Sequence, residues 1–104
     1  MKPLPNPLIR KVDSIQVYVP DLDAGLAFYR DKLGHEVVWR TDSAVGLGMP
    51  EASVEIVLQT ERTEPEIDLL VDSADSAAVR IEDAGGRVIV QPFDIQIGRC
   101  VVVQ

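Results

Sequence analysis

One pattern of strand, capped helix and terminating glycine occurs twice in this chain, at an offset of 52 residues. The copies align without a gap from Ser14 with Glu66 to Val38 with Val90, and 6 of the 25 pairs are identical. The identical pairs are Ile15/Ile67, Val19/Val71, Asp23/Asp75, Asp31/Asp83, Gly34/Gly86 and Val38/Val90. Any two β-α-β units share a capping aspartate and a final glycine, but here the register holds through the whole unit. The sequence therefore predicts an internal duplication.

The first copy predicts a βαβββ unit. Residues 14–19 alternate apolar and polar side chains, as a half-buried strand does, and Pro20 ends the strand because it has no N–H donor. Asp21 or Asp23 then caps a helix that Gly34 terminates. The apolar residues at helical spacing are Leu22, Leu26, Tyr29 and Leu33. Three short strands are predicted at 36–40, 44–49 and 53–60.

The second copy predicts the same unit without its last strand. A strand at 67–71 leads to a helix capped by Asp72 or Ser73, which ends at the glycines 85–86. Strands at 87–91 and within 94–104 follow, and nothing remains to match 53–60. We expect an extended arm at 1–12, with prolines at 3, 5 and 7, and a single domain at 13–104. That domain contains module one (13–60) and an incomplete module two (66–104).

Composition narrows the classes of partner. The formal net charge of -7 argues against nucleic acid or an anionic membrane, since both favour excess lysine and arginine. It is compatible with a neutral or cationic small ligand. The single cysteine, Cys100, cannot form an internal disulfide, and neither a signal peptide nor a membrane span is apparent in the sequence. We expect a cytoplasmic protein.

The phrases "DLDAGLAFYRDKLGHEVV" in the first copy and "VDSADSAAVRIEDAGGRVIV" in the second resemble the vicinal oxygen chelate superfamily. This is the group of glyoxalase I, the bleomycin-resistance proteins and the extradiol dioxygenases, and the resemblance covers 12–104. It implies an α+β fold in which two tandem βαβββ modules form a cupped mixed sheet, here with the second module lacking its last strand. It also implies a homodimer with the ligand inside the cup.

In the metal-dependent members, the resemblance implies ligands at the start of each first strand and in the middle of each fourth strand, mostly His and Glu. Carried over, these positions are Ser14, Glu66 and Val57, and the fourth, at 109, lies beyond Gln104. A hydroxyl is a poor donor, valine has none, and one carboxylate does not hold a catalytic divalent ion. A register slip of two residues would substitute Glu55 for Val57, still without a histidine. We therefore expect no metal and no cofactor.

The only histidine, His35, follows the glycine that ends the first helix, and we expect it in an exposed loop away from the cup. The cup itself is predicted from strand alternation. If Ile15, Val17 and Val19 pack under the helix, the alternate side chains face the other way. The predicted ligand-binding residues are Ser14, Gln16, Tyr18, Trp39, Glu55, Val57, Gln59, Glu66 and Asp68.

This set is polar and acidic, with Tyr18 and Trp39 as candidate stacking walls. It suits a small organic ligand that is cationic or forms hydrogen bonds. Two alternatives stay open: an ordinary polar face that opens to solvent, or a hard ion such as Mg²⁺ or Ca²⁺ held with waters by Glu55, Glu66 and Asp68.

Three functions follow. The first is a metal-free small-molecule-binding protein that holds its ligand in the cup of a dimer. The second is a lyase, isomerase or dioxygenase-like enzyme with an atypical metal or acid–base site around Glu66. The third is a degenerate or regulatory domain without a ligand. No catalytic residue is assigned, because the fold supports too many chemistries to name a substrate.

Overall fold

A computed structural model describes residues 7–95 and 98–104, so the first half of the predicted arm and residues 96–97 of the last predicted strand lie outside the described residues. The chain divides into two units. One contains Lys11–Leu69, and the other contains Leu70–Gln104 with the described residues before Lys11. In the described part of the chain, no helix has both the length and the apolar character needed to cross a bilayer.

The first unit is built on a five-stranded sheet with the spatial order β2-β3-β4-β1-β5. The strands are β1 (Lys11–Tyr18), β2 (Val37–Arg40), β3 (Ala44–Met49), β4 (Ala52–Gln59) and β5 (Glu66–Leu70). β1 runs parallel to β4, whereas β2, β3 and β4 pair antiparallel. The mixed sheet with its helices confirms the predicted α+β class. β1 begins at Lys11, so it includes the last two residues of the predicted arm.

The helix of the first unit has two parts. Asp21 caps α1 (Leu22–Leu26) by accepting a hydrogen bond from the Ala24 N–H at 3.1 Å, and Ala27–Lys32 continue as a π-helical segment. A π-helical turn contains more residues than an α-helical turn, so later residues rotate away from the α-helical face. Leu33, expected on the apolar stripe, is therefore 53% exposed. Gly34 follows with a φ of 81°, which only glycine adopts without strain, and ends the helix as predicted.

The core of this unit lies between the helix and one face of the sheet. The five buried residues that form it are Leu22, Leu26, Val45, Leu47 and Leu58. Val17, Val19 and Ile56 pack against this cluster. The predicted alternation is thus confirmed for β1 and β4, because these residues face the helix and leave their neighbours on the opposite face.

The second unit contains α2 (Ala74–Asp83) and the antiparallel strands β6 (Val88–Ile95) and β7 (Gly98–Val103). Ser73 is the residue that caps α2, since its hydroxyl accepts from the Ser76 N–H at 3.2 Å. The buried residues of the helix are Ala74, Ala77 and Ala78. Among the described residues this sheet has only two strands, because β5, the strand predicted to open the second module, lies in the five-stranded sheet.

Arg99 on β7 joins three elements of the second unit. Its guanidinium contacts Asp75, in the first turn of α2, at 2.7 Å, and Asp94, on β6, at 2.9 Å. The hydrogen bond from Arg99 lowers the pKa of the Asp75 carboxyl. The same bond, together with the one that Arg99 donates to Asp94, raises the pKa of Arg99.

The pH dependence of stability reports this contact. A carboxyl whose pKa is lowered by folding stabilises the native state above its unfolded pKa, about 3.9, and loses that contribution as the pH falls through the folded pKa. We therefore expect Asp75→Asn to be less stable than the native protein near neutral pH, with the difference shrinking as the pH falls below about 3.9 and vanishing below the lowered pKa of the folded state. Urea unfolding between neutral and acid pH measures it. Asp83→Asn in the last turn of α2 is the control, and a difference that persists unchanged into acid would contradict the assignment.

Candidate functional site

The pairing of β1 with β4 brings predicted site residues together on one face of the sheet. Ser14 lies opposite Glu55, Gln16 opposite Val57, and Tyr18 opposite Gln59. Residues in register on paired strands project from the same face, and here that face is the one opposite the helix. Trp39 joins it from β2 through its pairing with Gly46, which in turn pairs with Val57. We call this surface the polar face; its members are Ser14, Gln16, Tyr18, Trp39, Glu55, Val57, Gln59, Arg62, Glu66 and Asp68.

Asp68 links β5 to β1. The Ser14 hydroxyl and the Gln16 amide both donate to its Oδ2 atom, each at 2.7 Å. Ser14 is only 5% exposed, so its hydroxyl has little access to water and donates its proton to Asp68. Asp68 is therefore placed by two neutral donors, and Ser14 is a structural member of the site.

Arg62 is the member of the polar face that the sequence did not predict. Its Nε atom donates to Glu66 at 2.7 Å, and its Nη2 atom donates to the side-chain oxygen of Gln16. The four-residue spacing of Arg62 and Glu66 is a helical pairing signal, but Pro65 lies between them and the segment is not helical. No rule of spacing would have placed this cation beside Glu66. The polar face thus contains a positive charge among its three carboxylates.

Gln59 fixes the backbone of Arg62. Its amide oxygen accepts from the N–H groups of Glu61 and Arg62, both at 2.8 Å, and its amide nitrogen donates to the Arg62 carbonyl at 2.6 Å. The residue is 3% exposed. These bonds use both acceptor positions of the oxygen and one of the two N–H donors. Gln59 therefore holds the 61–66 segment, and its predicted contact with a ligand stays a prediction.

The other end of the polar face is apolar and aromatic. Trp39 is 38% exposed and donates its indole N–H to Glu55 at 2.5 Å. Val57, 5% exposed, lies on β4 between Trp39 on one side and Gln16 on the other across the sheet. Tyr18, 37% exposed, lies on β1, three strands from β2 and in register with Gln59. The face therefore has one end with Trp39 and Glu55, an apolar centre at Val57, and a second end on the β5 side that contains Tyr18, Arg62, Glu66 and Asp68.

The residues at the implied metal positions do not fit a metal site. Ser14 donates to Asp68, Glu66 is paired with Arg62, and Val57 has no donor atom. Within 7–95 and 98–104, no three His, Cys, Asp or Glu side chains are grouped closely enough to hold a metal ion. His35 does lie in a loop, but it is half-buried rather than exposed, with Nδ1 3.2 Å from the Gly48 carbonyl oxygen.

Comparison with solved structures shows the same fold in several enzymes. Methylmalonyl-CoA epimerase from Mycobacterium tuberculosis superposes with a TM-score of 0.79 at 19% identity, over 97% of this chain and 83% of that one. A variant of methylmalonyl-CoA epimerase from Streptomyces coelicolor, in complex with 2-nitronate-propionyl-CoA, gives 0.76 at 22% identity, over 92% and 88%. The Mn(II)-bound glyoxalase from Novosphingobium aromaticivorans gives 0.60 at 26% identity, over 85% of this chain and 32% of that one.

Sequence comparisons give the family. Among curated proteins none matches this chain. The model of the Glyoxalase/Bleomycin resistance protein/Dioxygenase superfamily matches residues 11–103, which include every residue of the polar face. The chain belongs to the Glyoxalase/Bleomycin resistance protein/Dioxygenase superfamily.

Proposed function

We propose that this chain is a metal-independent member of its superfamily that binds a small organic ligand on the polar face. The observation that carries the proposal is the state of the three implied metal positions. A hydroxyl that donates to Asp68, a carboxylate paired with Arg62 and a valine leave no set of donors for a first-row metal ion. The hydrogen-bonding groups of the face, beside an exposed tryptophan, suit an organic molecule.

Metal analysis of the protein purified without chelator tests this proposal. We expect the content of each divalent metal to stay near background, both in the native protein and in Glu66→Gln. Glu66→Gln keeps the size of the side chain but removes the charge at the one implied position that has a carboxylate. A stoichiometric divalent ion that is lost in Glu66→Gln would overturn the proposal.

The proposal includes a homodimer in the cytoplasm. The described two-stranded sheet of the second unit supports a partner, because two strands alone are marginally stable. Its large apolar residues that are at least 38% exposed are Ile89, Val90, Phe93, Ile95, Val102 and Val103. The molar mass in solution, measured by light scattering, tests the dimer, and a mass of one chain at all concentrations would overturn it. The presence of a single cysteine, Cys100, supports the cytoplasmic location, because proteins of oxidising compartments commonly contain paired cysteines in disulfides.

A second candidate is an isomerase that uses acid–base chemistry. The similarity to methylmalonyl-CoA epimerases supports it, together with Asp68, whose carboxylate is held by two neutral donors and is not paired with a cation in the described residues. Glu66, by contrast, is paired with Arg62 at 2.7 Å. Methylmalonyl-CoA in D₂O is the probe. Exchange of its α-proton that disappears in Asp68→Asn would establish this candidate, and exchange at the uncatalysed rate would exclude it for that substrate.

A further inference from the structure

We propose that Trp39 is a rigid stacking platform and that the ligand is a planar aromatic cation. This inference rests on the proposed function, because it names the class of ligand for the same face. It is carried by the packing of one side chain against one glycine and by the charges around it.

The indole of Trp39 lies directly on the backbone of β3. A Cβ atom at Gly46 would be 2.7 Å from Cδ1 of the ring and closer still to Nε1 and Cε2. Such distances are shorter than any ordinary contact, so this ring position requires glycine. Gly46 lies on β3, next to the edge strand, and it is nevertheless buried. The indole of Trp39 covers it. One face of the ring is therefore against the strand, and its exposed surface is on the other side.

A hydrogen bond fixes the ring within its plane. The indole N–H donates at 2.5 Å to Glu55 on β4, two strands away from the edge on which Trp39 lies. Contact with Gly46 below and the bond to Glu55 at the edge leave the ring one orientation. A ligand that stacks on a side chain already ordered in this way does not have to immobilise it, which favours binding. An aromatic ring in the ligand is the group that uses such a surface best.

The charges select a cation. Glu55, Glu66 and Asp68 contribute three carboxylates to the polar face, whereas Arg62 is its one cation and is paired with Glu66. The Glu55 carboxylate lies at the edge of the indole and accepts from its neutral N–H, and among the described residues it forms no ion pair. The faces of aromatic rings are themselves regions of negative potential and attract cations. A cationic ring therefore gains from both the indole and Glu55, and an anionic ring is repelled by Glu55.

The test uses N-methylquinolinium as the cation, with quinoline as the neutral probe and naphthalene-2-sulfonate as the anion of similar ring size. Trp39 is the only tryptophan, so its indole N–H gives a single cross-peak in a proton–nitrogen NMR spectrum. We expect N-methylquinolinium to shift this peak in a saturable way, with an affinity at least about tenfold above that of the sulfonate. Equal or tighter binding of the sulfonate would overturn the proposal.

Two glycine variants distinguish the effect of displacing the Trp39 ring from the effect of substituting any glycine in β3. Gly46→Ala displaces the ring while Trp39 is kept, and we expect about a tenfold loss of affinity for N-methylquinolinium. Gly48→Ala is the matched control, because the nearest side-chain atom to its Cβ would be Val38 Cγ1 at 3.2 Å; affinity should stay within about twofold. The displaced ring is on an exposed edge strand, so Gly46→Ala is expected to fold, and its NMR spectrum verifies this. Native affinity in a folded Gly46→Ala would overturn the platform.

Glu55→Gln tests the charge without removing the acceptor of the indole bond. We expect weaker binding of N-methylquinolinium and unchanged binding of quinoline, since only the cation interacts with the lost charge. Equal effects on both probes would overturn the selection for a cation. Failure of this inference is distinguishable from failure of the proposed function, because metal content decides the latter whether or not an aromatic cation binds.

Discussion

Replacing Leu58 with alanine is expected to lower the free energy of unfolding by about 3–4 kcal/mol, as for other fully buried leucines. Leu58 is 0% exposed and lies in the core between α1 and the sheet. The helix approaches it closely, since a Cβ at Gly25 would be 3.1 Å from Leu58 Cδ1. Removal of the isopropyl group beyond Cβ leaves a cavity that the backbone of α1 cannot fill. The loss is a large fraction of the 5–15 kcal/mol, roughly, that is typical of a small domain.

Urea unfolding of Leu58→Ala beside Leu33→Ala measures this effect. The control makes the same chemical change in the same unit, but Leu33 is 53% exposed beyond the π-helical segment. Its cost should be below about 1 kcal/mol. Similar costs for the two variants would mean that the core does not lie where the structure places it.

Replacing Asp68 with alanine is expected to cost about 2–3 kcal/mol, because two donors lose their common acceptor. The Ser14 hydroxyl is the more important of the two, since the residue is 5% exposed and the hydroxyl has little access to water. Asp68→Asn keeps a side-chain oxygen in place and should cost less than about 1 kcal/mol. Denaturant unfolding of the two variants at neutral pH distinguishes the loss of the acceptor from the loss of the charge.

A double-mutant cycle isolates the bond between Ser14 and Asp68. When both partners are removed, no hydroxyl is left without an acceptor, so Ser14→Ala/Asp68→Ala should be more stable than the sum of the single effects predicts, by about 1 kcal/mol or more. Strict additivity would show that the two side chains act independently, contrary to the 2.7 Å contact.

The fold could be predicted from the sequence because its determinants are local and repeated. Alternation along 14–19 assigned Val17 and Val19 to the core and Ser14 and Gln16 to the opposite face, and the 52-residue offset then located β5 and α2. Strand pairing preserves this division into two faces, because side chains paired across parallel or antiparallel strands project from the same face of the sheet. The predicted face therefore assembled with the predicted residues on it, although their contacts with a ligand stay predictions.

The polar contacts on that face could not be predicted in the same way. Arg62 reaches Glu66 and Gln16 only because Gln59 holds the backbone of a non-repetitive segment, and no periodicity describes such a segment. The sequence thus predicted the three carboxylates Glu55, Glu66 and Asp68 on this face but missed the positive charge of Arg62 beside them. The exposure of Leu33 was missed for a related reason, because helical spacing assumes an α-helix where the backbone is π-helical.

The parallel pairing of β1 with β4 and the hydrogen bonds from β1 to β5 have a consequence for the order of folding. β3 and β4 are joined by a short turn and can pair locally, whereas Ser14 and Asp68 are 54 residues apart. Contacts over such separations form only after a long loop has closed, which is slow. During synthesis, β1 to β4 emerge before β5 exists. The polar face is therefore completed late, after the helix-side core has a complete set of residues.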